Sequence, residues 1–183
     1  MSELQSLIEA CYEQAKTGKW QRVLADWQEL PLLARRCSRY QKASSGWGFL
    51  HQAAYFGNEA ACRELIRMGA SIRQLSLKRE TAIGVAQNKG HNALAALLRR
   101  ARLDEGSLWA VPCDPDLLPS SCLWDEALEC RATETLLVAY GGGVVKIPHG
   151  SRYFTDAFGR VLVGWHGTYD PPCGMDGESM IAF

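Results

Sequence analysis

Trp47-Gly-Phe-Leu-His-Gln-Ala-Ala-Tyr-Phe-Gly-Asn58 and Glu80-Thr-Ala-Ile-Gly-Val-Ala-Gln-Asn-Lys-Gly-His91 carry one pattern twice, 33 residues apart. Leu50 matches Ile83, Ala53 matches Ala86, Gly57 matches Gly90, and further along Leu65 matches Leu98. A period of this length marks a supersecondary unit that cannot bury its apolar face alone and stacks on its neighbour. Stacked units present a continuous outer surface, and that surface usually exists to bind.

The run Leu50-His51-Gln52-Ala53-Ala54, the Gly57-Asn58 turn and the ending Leu65-Ile66-Arg67-Met68-Gly69-Ala70 resemble the ankyrin repeat. That family's core reads T-P-L-H-x-A-A-x-x-G-H and closes with L-L-x-x-G-A. Gly48 and Phe49 stand where the family has Thr-Pro, and the second copy keeps Thr81 but has Ala82 for Pro and Gly84 for His. It ends in Arg99-Arg100-Ala101, a polar ending that suits a terminal unit. The resemblance covers about residues 3–102 and implies a helical repeat stack. It also implies that His51 and His91 tie turns together rather than catalyse.

Upstream, Leu4, Leu7, Ile8, Cys11 and Ala15 recur at helical steps after Ser2, a plausible N-cap, and Gly18 follows as a stop, so a helix is expected from about Glu3 to Thr17. A second begins near Lys19 with Trp20, Val23, Leu24 and Trp27 on one face, until Pro31 interrupts it. This pair resembles an atypical first unit. Gly18 precedes Gly57 by 39 residues rather than 33, which places about six extra residues between Leu30 and Ser45.

After Arg102 the character changes. Pro112, Pro115 and Pro119 leave no room for a long helix. Four strand-like runs follow, Thr135–Tyr140, Val144–Ile147, Arg152–Thr155 and Arg160–Trp165, separated by Gly141-Gly-Gly143, by Pro148 with Gly150, and by the turn Asp156-Ala-Phe-Gly159. The expected fold is therefore α+β: an ankyrin-like helical stack over 1–102 (units 3–45, 46–75 and 76–102), then a small antiparallel β-rich subdomain over 103–183 packed on it as a meander.

The chain has 183 residues, 47% of them hydrophobic, and its 20 basic and 20 acidic side chains cancel. Balanced charge speaks against nonspecific attraction to nucleic acid or to membrane surfaces. No window reaches the roughly 18–20 apolar residues of a membrane helix, and the start has neither a basic nor an apolar signal region. The expected location is the cytoplasm. Seven scattered cysteines read as buried small hydrophobes in a reducing compartment, not as a disulfide framework.

In the resembling family the turn tips and the first helix of each unit bind partners. Here those positions hold Ser44, Ser45, Trp47, Tyr55 and Phe56 in one copy, and Leu77, Lys78, Glu80, Asn88 and Lys89 in the next. Trp47, Tyr55 and Phe56 would anchor a hot spot ringed by Lys78, Glu80, Asn88 and Lys89, unless an aromatic packs under the Leu30–Ser45 segment. A second candidate surface is the Gly- and Pro-rich loop 164–177 with Trp165, His166, Tyr169 and Asp170. An enzyme would use that loop with Cys173 as nucleophile, His166 as base and Asp170 or Asp176 orienting the imidazole. Neither an oxyanion-hole motif nor a metal-ligand spacing accompanies it. Gly141-Gly142-Gly143 lacks the Lys-Ser/Thr of a phosphate loop. The reading is a noncatalytic protein, monomeric on its own and without metal or cofactor, that binds one protein partner, as an inhibitor or immunity protein would. A small Cys/His enzyme is the rival.

Overall fold

The computed structural model describes residues 2–105, 114–164 and 167–181. The fold is mixed α+β, and the chain divides into two compact units, Met1–Asp104 and Glu105–Phe183. The first is helical: α1 (Glu3–Lys16), α2 (Trp20–Glu29), α3 (Pro31–Arg39), α4 (Phe49–Tyr55), α5 (Glu59–Arg67), α6 (Ala82–Asn88) and α7 (Asn92–Asp104). Ser2 caps α1 by accepting from the Gln5 N–H, Asn58 caps α5 through Ala61 and Thr81 caps α6 through Gly84.

Four of these helices end in the same way. Gly18, Gly57, Gly69 and Gly90 all have positive φ, and each donates to the carbonyl three residues back: Ala15, Ala54, Ile66 and Gln87. The next residue donates five back, Lys19 to Gln14, Asn58 to Ala53, Ala70 to Leu65 and His91 to Ala86. This double closure satisfies carbonyls that the helix end leaves open, and a left-handed residue makes it possible, which is why glycine recurs there.

The extra residues between the first two turn glycines form α3. Pro31, read from sequence as a stop, is also the first residue of a new helix, where its missing N–H costs nothing. The core then centres on Phe49. Its ring meets Tyr12 at 5.3 Å, Trp27 at 5.7 Å and Tyr40 at 6.0 Å, tying α1, α2 and the segment after α3 to α4. Within it the Gln52 amide donates to the Tyr12 hydroxyl at 2.9 Å. Ala53, Ala61, Ala86 and Ala95 are fully buried and let α4 approach α5 and α6, and α6 approach α7.

The second unit departs from a simple meander. Its strands are β1 (Ser120–Ser121), β2 (Leu128–Arg131), β3 (Leu136–Tyr140), β4 (Gly143–Ile147), β5 (Arg152–Thr155) and β6 (Val161–Leu162), with a short 3-10 turn at Trp124–Glu126. β3 and β4 form a two-stranded hairpin, while β1, β6, β5 and β2 form a separate four-stranded sheet in that order. The pairs β3–β4, β2–β5 and β5–β6 are antiparallel as expected, but the meander order needs correction, and β1 adds a parallel pair with β6, Ser120 opposite Val161. β5 skips the hairpin and pairs with β2, Cys130 opposite Tyr153. The physical reason lies at Ala132 and Gly150–Ser151: backbone bonds between them close the β3–β4 hairpin off as an excursion from the β2–β5 ladder. Leu118, Val138, Ile147, Phe154, Phe158 and Leu162 form this unit's core.

Three cysteines, Cys11, Cys37 and Cys62, are buried as expected, but Cys122 and Cys173 are exposed and Cys130 is half-buried, which corrects the reading of all seven as buried hydrophobes. Cys113 lies outside the described residues. Among the described residues no helix is long and apolar enough to cross a membrane.

Candidate protein-binding face

The face begins at two turn tips. Gly46 and Arg79, 33 positions apart, both adopt positive φ, +71° and +62°. The tips are laced together: the Leu77 N–H donates to the Ser45 carbonyl at 3.0 Å, and the Gln41 amide bridges the carbonyls of Gly46 and Leu75. A Cβ on Gly46 would lie 2.5 Å from the Leu77 nitrogen, so the close approach requires glycine. Leu77, Lys78 and Arg79 are exposed at the second tip.

Behind the tips, Trp47 and Glu80 occupy equivalent positions in the two copies and hydrogen-bond each other, indole Nε1–H to Oε2 at 3.1 Å. The Ser76 hydroxyl donates to the same carboxylate oxygen at 3.2 Å and accepts from the Glu80 and Lys78 N–H groups. Glu80 Oε2 is thus held inside the face by two hydrogen bonds, and the residue is half-buried.

His51 is buried at 1% exposure. Its Nδ1 accepts from the Gly48 N–H at 3.2 Å, so Nε2 carries the proton and donates to the Glu80 carbonyl at 3.1 Å. Burial holds its pKa below the ordinary histidine value, against the smaller opposing effect of the Glu80 bond. A neutral imidazole with both nitrogens engaged has no free nitrogen for proton transfer. His91 joins the turns through Nε2–H to the Tyr55 carbonyl at 3.1 Å, its ring closing over Gly57.

The aromatic side chains form a ladder. Trp47 stacks on His51 at 5.7 Å and meets Tyr55 at 6.1 Å, and Tyr55 meets Phe56 edge-on at 5.1 Å. Tyr55 and Phe56 are 37% and 40% exposed, and the Lys89 ammonium lies 4.2 Å from the Tyr55 ring centroid. Phe56 rests on Gly18, where an added Cβ would come within 2.9 Å of its ring. Asn88 is exposed beside Lys89. Trp47 is half-buried on His51, Tyr55 and Glu80, whereas Tyr40 and Phe49 pack with Tyr12 beside the extra segment. The structure therefore brings Trp47, Tyr55, Phe56, Glu80 and Lys89 together, with Lys78 at the adjoining tip.

The second set of residues belongs to the other unit. Tyr169 is half-buried and Asp170 exposed, after a turn in which the Gly164 N–H donates to the Thr168 carbonyl at 2.8 Å. Trp165 and His166 lie outside the described residues. Cys173 Sγ donates to the Pro171 carbonyl at 3.6 Å, and Asp176 Oδ1 accepts from the Glu178 N–H in its own tight turn. Among the described residues no three His, Cys, Asp or Glu side chains group to hold a metal ion.

Sequence reasoning missed the buried ion pair of this unit. Asp156 Oδ2 accepts from Arg160 Nε at 2.8 Å, and Oδ1 accepts from the N–H groups of Phe158 and Arg160, with both side chains essentially inaccessible. The i, i+4 spacing of opposite charges across a Gly-containing turn was the available signal. A hairpin reading treats such residues as solvated, whereas here they form the turn's interior. No family model, curated protein or solved structure matches this chain.

Proposed function

We propose that this chain is a noncatalytic protein-interaction protein, an ankyrin-like stack that binds one protein partner through the face built on Trp47, Tyr55, Phe56 and Lys89. The observation that carries the reading is a pair of exposed aromatic rings, Tyr55 and Phe56, held on a laced scaffold rather than on a free loop. Aromatic anchors with few rotamers concentrate binding energy, and a preformed surface lowers the ordering cost of association. The equivalent positive-φ tips, the repeated glycine closures and the His51 bridge between turns support the ankyrin likeness. Such a surface acts by occlusion or tethering, so a dedicated inhibitor or immunity protein is the role it suits.

The test uses Tyr55→Ala/Lys89→Ala, which removes the exposed ring and its cation while leaving the Phe49 core alone. A partner captured by the full-length chain from its host, then purified and titrated calorimetrically, is expected to bind the double variant at least about 30-fold more weakly, a hot-spot-sized loss of roughly 2 kcal/mol. Equal affinity for both proteins would overturn the assignment of this face. The partner's activity, free and in complex, then separates inhibitor from scaffold.

A further inference from the structure

The Phe56 ring rests on Gly18, and Gly18 also lines a cleft of about 440 Å³ with Lys19, Trp20, Gln21, Arg22 and Asn58. The exposed rings and this cleft are therefore neighbours on one surface. Lys19 and Arg22 are both exposed. No acid lines the cleft, and α2 begins with neither a side-chain cap nor an acidic residue in its first turn, so the helix end adds its own positive partial charge. Asp26, one turn beyond Arg22, lines a separate cleft against α1. At the other end of the ring pair stands Lys89, its ammonium 4.2 Å from the Tyr55 centroid. Among the described residues none of these three cations is paired with a carboxylate. The adjoining acids are already held: Glu59, next to Asn58, binds Arg63 at 2.8 Å, and Glu80 Oε2 accepts from Trp47 and Ser76. The order along the surface is thus cations, ring, ring, cation, in a chain whose formal net charge is zero.

We infer that the partner meets this strip with an acidic segment, in which an apolar side chain lies against Phe56 and Tyr55 while flanking carboxylates face Lys19 and Arg22 at one end and Lys89 at the other. The inference rests on the reading of this face as the binding surface. Three cations without internal partners favour a negative segment and penalise a basic one, which would set like charges together. The two ends differ in what they offer. Arg22 brings a planar fork of donors and Lys19 a second cation beside it, whereas Lys89 is a single point charge already drawn to a ring. The cleft is therefore the stronger carboxylate site of the two. Because all these charges are solvated, they set encounter rate, register and choice of partner, and the rings supply the apolar contact.

The experiment pans a phage library of random peptides, each about a dozen residues long, against the full-length protein, then measures the selected peptides by fluorescence anisotropy at about 50 and 200 mM NaCl. The expected peptides carry Asp or Glu on both sides of an aromatic residue or leucine, and bind more weakly at the higher salt. Lys19→Gln/Arg22→Gln, which alters only exposed side chains, should weaken them about three- to tenfold and flatten their salt dependence. Tyr55→Ala/Lys89→Ala should weaken them as well. Neutral or basic peptides that lose affinity in Tyr55→Ala/Lys89→Ala but not in Lys19→Gln/Arg22→Gln would overturn the inference and leave the face standing. Acidic peptides indifferent to Lys19→Gln/Arg22→Gln would overturn it too, as would a library that enriches nothing. Peptides indifferent to both double variants would overturn the face itself.

Discussion

At the scale of single residues, His51 does structural work only as a neutral ring. Its unfolded counterpart titrates near 6.5, and burial holds the folded group lower. Below about pH 6.5 the unfolded chain therefore binds more protons, and stability falls as pH falls, by up to about 1.4 kcal/mol per unit until the folded ring itself protonates. Above that pH the contribution is constant. His51→Gln should be less stable at neutral pH, having lost the Gly48 bond, yet show a shallower decline of its urea midpoint between pH 7 and pH 5. Equal slopes in the two proteins would remove His51 as the source. Asp156 makes the complementary case in the other unit. Removing the carboxylate breaks a buried ion pair and takes the acceptor from two backbone N–H groups, so Asp156→Ala should cost about 3–5 kcal/mol, readable in urea or thermal unfolding. Asp156→Asn, which keeps the oxygen that accepts from Phe158 and Arg160, should cost less. A loss below 1 kcal/mol in the alanine variant would show that the pair is not what holds this turn.

At the scale of elements, the turn glycines separate backbone strain from contact. Gly57 and Gly90 occupy equivalent positions with φ of +67° and +81°, so a side chain at either meets the left-handed penalty of about 1–2 kcal/mol. Only Gly57 is also covered: a Cβ there falls 2.7 Å from the His91 ring, whereas one on Gly90 meets nothing within 4 Å. Gly57→Ala must displace His91 from the Tyr55 carbonyl as well, and should destabilise by about 1 kcal/mol more than Gly90→Ala, one lost hydrogen bond, in chemical denaturation. Identical losses would mean that His91 yields freely. These turns were legible in the sequence because their chemistry is local: a glycine for positive φ, an Asn or Thr cap, an apolar face at helical steps. What the sequence hid was non-local. Pro31 serves equally as a helix stop and as a first helical residue, so α3 read as an insertion of unknown form. Leu128-Glu-Cys-Arg131 has no alternating burial and pairs with a strand beyond an intervening hairpin. On the binding face, spacing assigned Trp47 and Glu80 to equivalent positions, but only coordinates show that they bond to each other and that Glu80 is thereby engaged.

At the scale of the whole molecule, each unit carries a core drawn from its own residues. In the first, the rings of Tyr12, Trp20, Trp27, Tyr40 and Phe49 contact one another, and every helix from α1 to α7 has packing partners within Met1–Asp104. The turn closures that end α1, α4, α5 and α6 also lie wholly inside it. Single domains of this size whose elements pack on one another usually unfold in one cooperative transition. A chain ending at Asp104 should therefore keep its helical circular dichroism and unfold in urea in one cooperative transition. A small all-helical unit with many local contacts should also refold within milliseconds. Tyr55→Ala, whose ring is more than a third exposed, should shift that transition little, whereas Phe49→Ala should cost about 3–5 kcal/mol because its ring is 1% exposed at the centre of the aromatic cluster. A broad, non-cooperative loss of helix in the unsubstituted fragment would mean that the first unit depends on residues beyond Asp104. The same fragment bears Trp47, Tyr55, Phe56 and Lys89, so if it folds and still binds the partner with full affinity, recognition resides in the helical unit, and the β-rich unit is left for another task.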